Sequence, residues 1–386
     1  MFLREAVFGS LMGFPLLLIP RLARGPNGTR RPVVYSRGLH SANNTYPQGQ
    51  FIVAPGFSPA CASLKASARS QLGQRAPQRA LCGLGKYEKR MKIAYLDLVH
   101  TNPGLLKRLI RTLSTDDCAF FIHIDAKSKI EQFSGLGREN VFLSEQRLPV
   151  RWGEFSQVEA TMLLMRQALG SSAKYDYFVL MQGRDYPLRS SKYIQRFLEE
   201  NRGTEFISLV KMPAPGFPMF KINQLRYPSD TPVRHFASMV LCKVGIARRD
   251  YKKHLVGLDA YAGDACWALS REACQYIVEF VQRNPHVERF FRHTFTPDET
   301  FFHTILGNSP FRLRVRRSLL YRDMPLFSHP LLINDAHLRF FGEREKVWVQ
   351  DMFGSGEVLF ARKFSDDNLN IVDRIDAMIK QKELNS

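Results

Sequence analysis

From residue 91 onward, short apolar runs alternate with segments in which apolar side chains recur every three or four positions. The runs are typical of buried strands, and the periodic segments are typical of helices packed on a sheet. The pattern predicts strands at residues 92–99, 119–125, 141–143, 175–181 and 205–210. It predicts helices from about residue 103, at 155–168 and at 191–200. This alternation favours an α/β domain with a mostly parallel sheet, whose ligands bind at the carboxyl ends of the strands.

The second half of the domain is less regular. Residues 211–262 are rich in Pro, Phe, Met and Arg and show weak periodicity, which is typical of a long excursion that shapes a pocket. Beyond it, the pattern predicts a strand at 263–269 and helices at 270–282, from 296 to about 306, and at the C-terminus, with further strands at 316–321 and 332–339.

Residues 1–90 have a different composition, with 13 Lys or Arg and only two acidic residues, Glu5 and Glu88. Low acid content and many Ser, Ala, Gly, Pro and Gln predict a poorly structured segment. An apolar run at residues 7–20 is shorter than the roughly twenty residues that span a bilayer. It resembles either a signal-peptide core or a weak type II anchor, so membrane association is one expectation. Alternatively, Met91 is the true start of the protein, and the preceding residues are an artefact of an early start codon.

The formal charge of +19 falls to +8 once residues 1–90 are set aside. The remaining chain has no basic helix and no repeated basic-aromatic pattern, so we expect no nucleic-acid partner. A positive cleft for a phosphate-bearing small molecule fits the charge instead. The six Cys form no CxxC pair, which argues against a zinc site or a disulfide framework. Cys118, Cys242 and Cys266 stand in apolar runs and are predicted to be buried.

Several common catalytic motifs are missing from the sequence, including the P-loop, Gly-x-Gly-x-x-Gly, the nucleophile elbow and His-Glu-x-x-His. No Asp-x-Asp pair follows a predicted strand, and His123-Ile124-Asp125 offers one carboxylate there. Two adjacent carboxylates occur in Thr296-Pro297-Asp298-Glu299. One interpretation is a capping box, with Thr296 as N-cap and Glu299 at the third helical position. The other makes Glu299 a general base at the mouth of a pocket.

Six motifs occur in an order and spacing that resemble one known family. They are His123-Ile124-Asp125-Ala126-Lys127, Trp152-Gly153-Glu154, Gln182 to Leu188, Gly263 to Ser270, Pro297 to Thr304, and Phe360-Ala361-Arg362-Lys363-Phe364. Together they resemble the core-2/I-branching β-1,6-N-acetylglucosaminyltransferases and peptide O-xylosyltransferases. The last motif and the ending Phe301-Phe302-His303-Thr304 are more similar to the xylosyltransferase or bacterial branch than to the vertebrate core-2 enzymes.

The resemblance implies a GT-A-like, Rossmann-type fold in a single catalytic domain, residues 91–386. It also implies inverting transfer of xylose or N-acetylglucosamine from a UDP-sugar to a hydroxyl of a glycan, peptide or polysaccharide, without a metal or other cofactor. A metal-dependent or retaining transferase is one alternative, and a carbohydrate- or nucleotide-binding protein on a degenerate transferase scaffold is another. Localisation stays open between a bacterial cytoplasmic or membrane-associated protein and a Golgi or endoplasmic reticulum type II protein.

The same resemblance assigns roles to individual residues. Glu299 would be the base, while Arg339 and Lys363 would stabilise the leaving diphosphate, with Arg362 a possible substitute. The nucleoside would contact Val99, His100, Asp125 and Trp152. Asp185 and Asp264 would lie on the sugar or acceptor side, and Asp264 departs from the Ser that relatives usually have there. Simpler interpretations are a solvated cation for Arg339, a core residue for Trp152 and a turn residue for Asp185.

Overall fold

The computed structural model describes residues 90–384, apart from residue 138, residues 325–328 and most of 227–247. The predictions for the apolar run at 7–20 and for Cys242 therefore lie outside the described residues. The chain divides into two units, Met1–Cys82 and Gly83–Ser386, and the architecture below belongs to the second. Cys118 and Cys266 are buried free thiols, as predicted.

The sheet is mixed but mostly parallel, which confirms the predicted fold class. Its strand order among the described residues is β10-β6-β9-β4-β1-β2-β3, and β9 alone runs antiparallel to both of its neighbours. The strands of this sheet are β1 (Ile93–Val99), β2 (Cys118–Ile124), β3 (Val141–Leu143), β4 (Tyr177–Gln182), β6 (Glu205–Ile207), β9 (Trp267–Ser270) and β10 (Val315–Arg316).

The described residues also form shorter sheets. In one of them, the order is β11-β14-β5, which brings together three chain segments far apart in sequence. The strands of these smaller sheets are β5 (Asp185–Pro187), β7 (Val210–Lys211), β8 (Tyr261–Ala262), β11 (Leu320–Arg322), β12 (Trp348–Asp351), β13 (Gly354–Glu357) and β14 (Phe360–Arg362). The strand predicted at 205–210 is thus divided between β6 and β7.

Helices cover both faces of the sheet because its central strands are apolar on both sides. In β1, Ile93 and Tyr95 enter one core cluster, while Ala94 and Leu96 enter the other. The helices of the described residues are α1 (Pro103–Leu113), α2 (Ser156–Gly170), α3 (Ser191–Glu200), α4 (Phe220–Asn223), α5 (Tyr251–His254), α6 (Arg271–Arg283), α7 (Pro285–Phe291), α8 (Phe301–Gly307), α9 (Asp335–Gly342) and α10 (Leu369–Leu384).

The strand predicted at 332–339 is wrong, because α9 occupies most of that segment. Asn334 caps this helix by accepting a hydrogen bond from Ala336 N at 3.0 Å, and the His337 side chain accepts one from Asn334 N at 3.2 Å. This reciprocal cap satisfies N–H groups that a helix start leaves unpaired, and it outweighs the local apolar run. None of the helices in the described part of the chain is both long and apolar enough to cross a membrane.

Candidate active site

The carboxyl ends of β1 and β2 bring Val99, His100 and Asp125 together. Asp125 N donates to Val99 O at 2.8 Å, and Ser128 Oγ donates to His100 O at 2.7 Å. The buried Asp125 carboxylate accepts Lys127 N at 2.8 Å and pairs with Lys127 Nζ at 3.2 Å. Asp125 therefore stabilises its own turn, while the exposed His100 faces outward at this edge. Desolvation lowers the pKa of His100, which favours the neutral imidazole.

Trp152 lies at the surface, with 70% of the residue exposed. The core role considered for it is therefore wrong. Its ring meets that of Phe295 edge-on, with centroids 5.7 Å apart. The next residue, Gly153, accepts a hydrogen bond from Thr296 N at 3.1 Å and has φ +75°, where a side chain would be strained and would meet the Phe295 ring. This glycine thus holds an exposed indole beside the segment that carries Glu299.

Pro297–Glu299 forms a single 3₁₀ turn, here called the Glu299 turn, and α8 begins only at Phe301. Thr296 has φ 47°, and its hydroxyl makes no cap hydrogen bond with the turn. The capping-box interpretation is therefore wrong, because the N-cap geometry requires an extended residue whose oxygen faces the turn. The Glu299 backbone is held instead by Thr296 O, at 3.1 Å from Glu299 N, and by Gly263 N, at 3.0 Å from Glu299 O.

The Glu299 carboxylate is partly accessible, with 28% of its side chain exposed, and it forms an ion pair with Lys221 of α4. Lys221 belongs to the irregular segment 211–262, where sequence periodicity gave no signal for it. Its backbone O accepts Phe295 N at 3.0 Å, so the cation is anchored to the same loop as the carboxylate. A carboxylate on a rigid backbone with one accessible edge can accept a proton from a bound hydroxyl.

Asp298, the adjacent carboxyl, has a different environment. Its Oδ1 points into the protein without a hydrogen-bond partner among the described residues. Burial, and then the charge of Glu299, raises the pKa of Asp298 to about 7. Near neutral pH, the pair therefore carries less negative charge than two ordinary carboxylates would.

Asp185, Arg362 and Arg322 occupy one register across β5, β14 and β11, and we call this set the charge ladder. Arg362 Nε lies 3.3 Å from Asp185 Oδ1, and Asp185 Oδ2 accepts Gln182 N at 2.9 Å. Only 1% of Asp185 is exposed. The turn interpretation of Asp185 thus fits its geometry, and Arg362 is engaged inside the protein.

Asp264 continues this buried network. It is 3% exposed, forms an ion pair with Arg322, and accepts hydrogen bonds from Ser208 Oγ at 3.0 Å and Ser318 Oγ at 3.2 Å. The preceding Gly263 allows this close packing, since a Cβ there would stand 1.7 Å from Ser208 O. Asp264 therefore lies next to the Glu299 backbone in space, but its carboxylate serves the network and is not a second accessible acid.

Asp97 is a charged residue that the sequence interpretation missed. It stands in the middle of β1, is 1% exposed, and neither carboxyl oxygen has a hydrogen-bond partner among the residues described. Burial, and then the charge of Asp185, raises the pKa of Asp97 to about 7. Burying a carboxyl within an apolar strand costs free energy. An Asp inside the apolar run at 92–99 was therefore the sequence signal that could have identified this residue.

The two predicted phosphate-binding cations lie on neighbouring segments. Lys363 follows β14, and its O accepts Ile333 N at 3.0 Å, just before α9, which carries Arg339. Arg339 is exposed, and within the described ranges its guanidinium has no carboxylate partner. The next residue after Lys363, Phe364, donates its N–H to Arg184 O at 2.9 Å, so Lys363 borders the loop that begins the charge ladder.

No group of three or more His, Cys, Asp or Glu that could hold a metal ion occurs among the residues that the structure describes. The expectation of metal-independent chemistry stays a prediction.

Comparisons with known proteins add to this geometry. The model of the core-2/I-branching enzyme family matches residues 93–323. The chain is 27% identical over 231 residues to an N-acetyllactosaminide β-1,6-N-acetylglucosaminyltransferase from Mus musculus, covering 58% of this chain and 54% of that one. It is 26% identical to a β-1,3-galactosyl-O-glycosyl-glycoprotein β-1,6-N-acetylglucosaminyltransferase from Bos taurus, covering 58% and 50%. A xylosyltransferase from Drosophila pseudoobscura pseudoobscura is 25% identical, covering 57% and 25%.

The chain thus spans about half the length of the first two relatives and a quarter of the third. The matched segment includes the carboxyl ends of β1 and β2, Trp152, the Glu299 turn and Asp264. Arg339 and Lys363 lie beyond it.

Proposed function

Because the chain belongs to the core-2/I-branching enzyme family, we propose that it is an inverting, metal-independent glycosyltransferase. It would move xylose or N-acetylglucosamine from a UDP-sugar to a hydroxyl of a glycan, peptide or polysaccharide. The relatives' names describe transfer of these two sugars.

The accessible Glu299 carboxylate is the observation that carries the proposal. In an inverting displacement, the acceptor hydroxyl attacks the anomeric carbon from the side opposite the leaving group, and a base takes its proton. The Glu299 turn fixes the backbone through two hydrogen bonds, while the side chain keeps an exposed edge. Lys221 holds the carboxylate in place until an acceptor hydroxyl competes for it.

The leaving UDP gains negative charge on its diphosphate, and fixed cations can stabilise that charge in place of a metal. Lys363 and Arg339 are the proposed cations, since they lie on neighbouring segments and Arg339 has no carboxylate partner within the described ranges. Arg362 is unsuitable for this role because it pairs with the buried Asp185. It would instead position the segment that leads into Lys363.

The nucleoside end of the donor would lie at the carboxyl ends of β1 and β2. His100 would offer a ring surface there, with Val99 and Asp125 behind it, and the exposed Trp152 would supply a second ring from the segment beside the Glu299 turn. Asp185 and Asp264, which are buried and paired, would act by positioning the loops on the sugar side and not by touching the sugar.

A thermal-shift panel tests the proposal. We expect UDP, and either UDP-xylose or UDP-N-acetylglucosamine, to raise the melting temperature of the full chain, with the shift unchanged by EDTA. Short nucleic acids and neutral oligosaccharides serve as comparison ligands. A chain stabilised by none of the UDP species would contradict the proposal. Stabilisation by UDP-sugar without any transfer to acceptors would favour a binding protein on a degenerate scaffold.

A further inference from the structure

A wide groove of about 1660 Å³ lies between α3, the β12–β13 hairpin and the C-terminal end of α10. None of the proposed catalytic or donor-binding residues lines it. We propose that this groove is a second binding site that takes an acidic glycan, that is, a sugar chain bearing sulfate or carboxylate groups. The choice of a glycan rests on the proposed function, whereas the binding itself can be measured without a donor or a transfer reaction.

Positive charge dominates the groove. Nine Lys or Arg side chains line it against four Glu. Two of the cations are already neutralised, because Arg189 pairs with Glu357 at 3.2 Å and Arg317 pairs with Asp351 at 2.9 Å. Six others have no carboxylate partner among the described residues. They are Lys192, Arg196, Arg316, Arg344, Lys346 and Lys380.

A buried ion pair and an aromatic ring form one side of the groove. Arg189 and Glu357 are 4% and 2% exposed as side chains, and Tyr193 OH donates to both Glu357 oxygens, at 2.9 and 3.0 Å. Two guanidinium groups contact the Tyr193 ring, that of Arg189 at 4.9 Å and that of Arg196 at 5.3 Å from its centroid. The buried pair therefore orients the ring, and the ring orients Arg196 toward the groove.

Trp348 adds a surface for a sugar ring. It begins β12, lines the groove and is 58% exposed. An exposed indole between cations offers a flat apolar face to the ring of a sugar, while the cations bind its anionic substituents. An acidic peptide has no sugar ring in its repeating unit. An exposed indole together with cations therefore favours an acidic glycan over an acidic peptide.

The test is fluorescence anisotropy of the full chain with a labelled, sulfated heparin-type octasaccharide, titrated at several salt concentrations. We expect binding that weakens as salt rises. The double variant Lys192→Glu/Arg196→Glu should weaken it by at least about tenfold, because two cations four residues apart on α3 become anions. Trp348→Ala should weaken it by about threefold to tenfold.

The matched control is Lys107→Glu/Arg111→Glu, which makes the same charge change at the same spacing on the exposed face of α1. It should leave binding within about twofold of wild type, and it also corrects for any contribution from the basic residues 1–90. Equal losses in the two double variants would overturn the proposal, since they would show general charge attraction.

Comparison ligands decide the class of occupant. A desulfated octasaccharide, a single-stranded RNA and polyglutamate are titrated alongside, and tighter binding of RNA or polyglutamate than of the sulfated glycan would overturn the choice of a glycan. Glu299→Gln should bind the octasaccharide like wild type. If transfer depends on Glu299 but the α3 variant binds normally, the groove proposal fails and the proposed function stands. If wild type binds the octasaccharide in the groove but transfers no sugar, the groove proposal stands and the proposed function fails.

Discussion

The Glu299 turn and the charge ladder both hold acidic side chains beside cations, yet their environments are opposite. Glu299 keeps 28% of its side chain exposed and has Lys221 as its ion-pair partner. Asp185 is buried and held by a backbone N–H, a thiol and Arg362. A carboxylate that must exchange protons needs an accessible edge, whereas one that fixes loops needs saturated contacts. The contrast predicts that changes in the turn alter activity, and that changes in the ladder alter stability.

The largest effect is expected from Glu299→Gln. The amide keeps the size of the side chain but cannot take a proton, so kcat should fall by about 10²–10⁴-fold while the melting temperature stays near that of wild type. Steady-state transfer assays and thermal unfolding measure the two quantities. Asp298→Asn is the control one residue away, and we expect less than about fivefold loss there at neutral pH. Near-normal transfer by Glu299→Gln would show that another group is the base.

Arg362→Met tests the other side of the contrast. Removing the cation leaves Asp185 buried without its ion-pair partner, so the free energy of unfolding should fall by about 3–5 kcal/mol. Arg374→Met is the control, because Arg374 pairs with Asp335 on the surface, with side chains 56% and 63% exposed. Its loss should be below about 1 kcal/mol in the same urea titration. Similar losses for both variants would show that the buried pair of the charge ladder contributes no more to stability than a surface pair.

Asp97, beside the ladder, should give a pH-dependent stability. Its pKa is about 7 in the folded chain and near 3.8 when unfolded, so between these values the folded state binds more protons. The resulting stabilisation is complete below about pH 4 and is lost as pH rises through about 7. Asp97→Asn removes this loss. A rise in pKa from 3.8 to about 7 corresponds to about 4 kcal/mol, so the free energy of unfolding of the variant should exceed that of wild type by about 4 kcal/mol near pH 8 and match it near pH 4.

The comparison with wild type at each pH is essential, because other groups titrate as well. Burial lowers the pKa of His303 to about 3, which makes stability rise with pH between about 3 and 6.5. That contribution is common to both proteins and cancels in the difference. A difference that does not change with pH would mean that Asp97 stays ionised in the folded chain.

Trp152→Ala should have the smallest effect. The side chain is largely exposed, so stability should not change, but losing its ring at the donor edge should raise KM for the UDP-sugar by about threefold to tenfold. Trp348→Ala, which truncates an exposed indole in the groove beside α3, is expected to leave that KM unchanged. If the two variants behave alike, Trp152 has no special place in donor binding.

Some parts of this structure could be predicted from the sequence, and others could not. The apolar runs predicted the central strands because burial on both faces is a local property, visible in β1 and β2. The ladder could not be predicted, since Asp185, Arg322 and Arg362 meet only when β5, β11 and β14 pair across long separations. Residue type alone favoured Thr296 as a cap, but the hydrogen bonds from Thr296 N to Gly153 O and from Gly263 N to Glu299 O impose another backbone geometry.

The most direct test of the central proposal is a transfer reaction followed by proton NMR. The full chain is incubated in EDTA with UDP-xylose or UDP-N-acetylglucosamine and an acceptor panel of N-acetyllactosamine, β-1,3-galactosyl-O-glycopeptide and serine peptides. We expect release of UDP in step with a new β-linked glycoside from the α-linked donor, and neither product with Glu299→Gln. An α-linked product, or activity that appears only when a divalent metal is added, would contradict it.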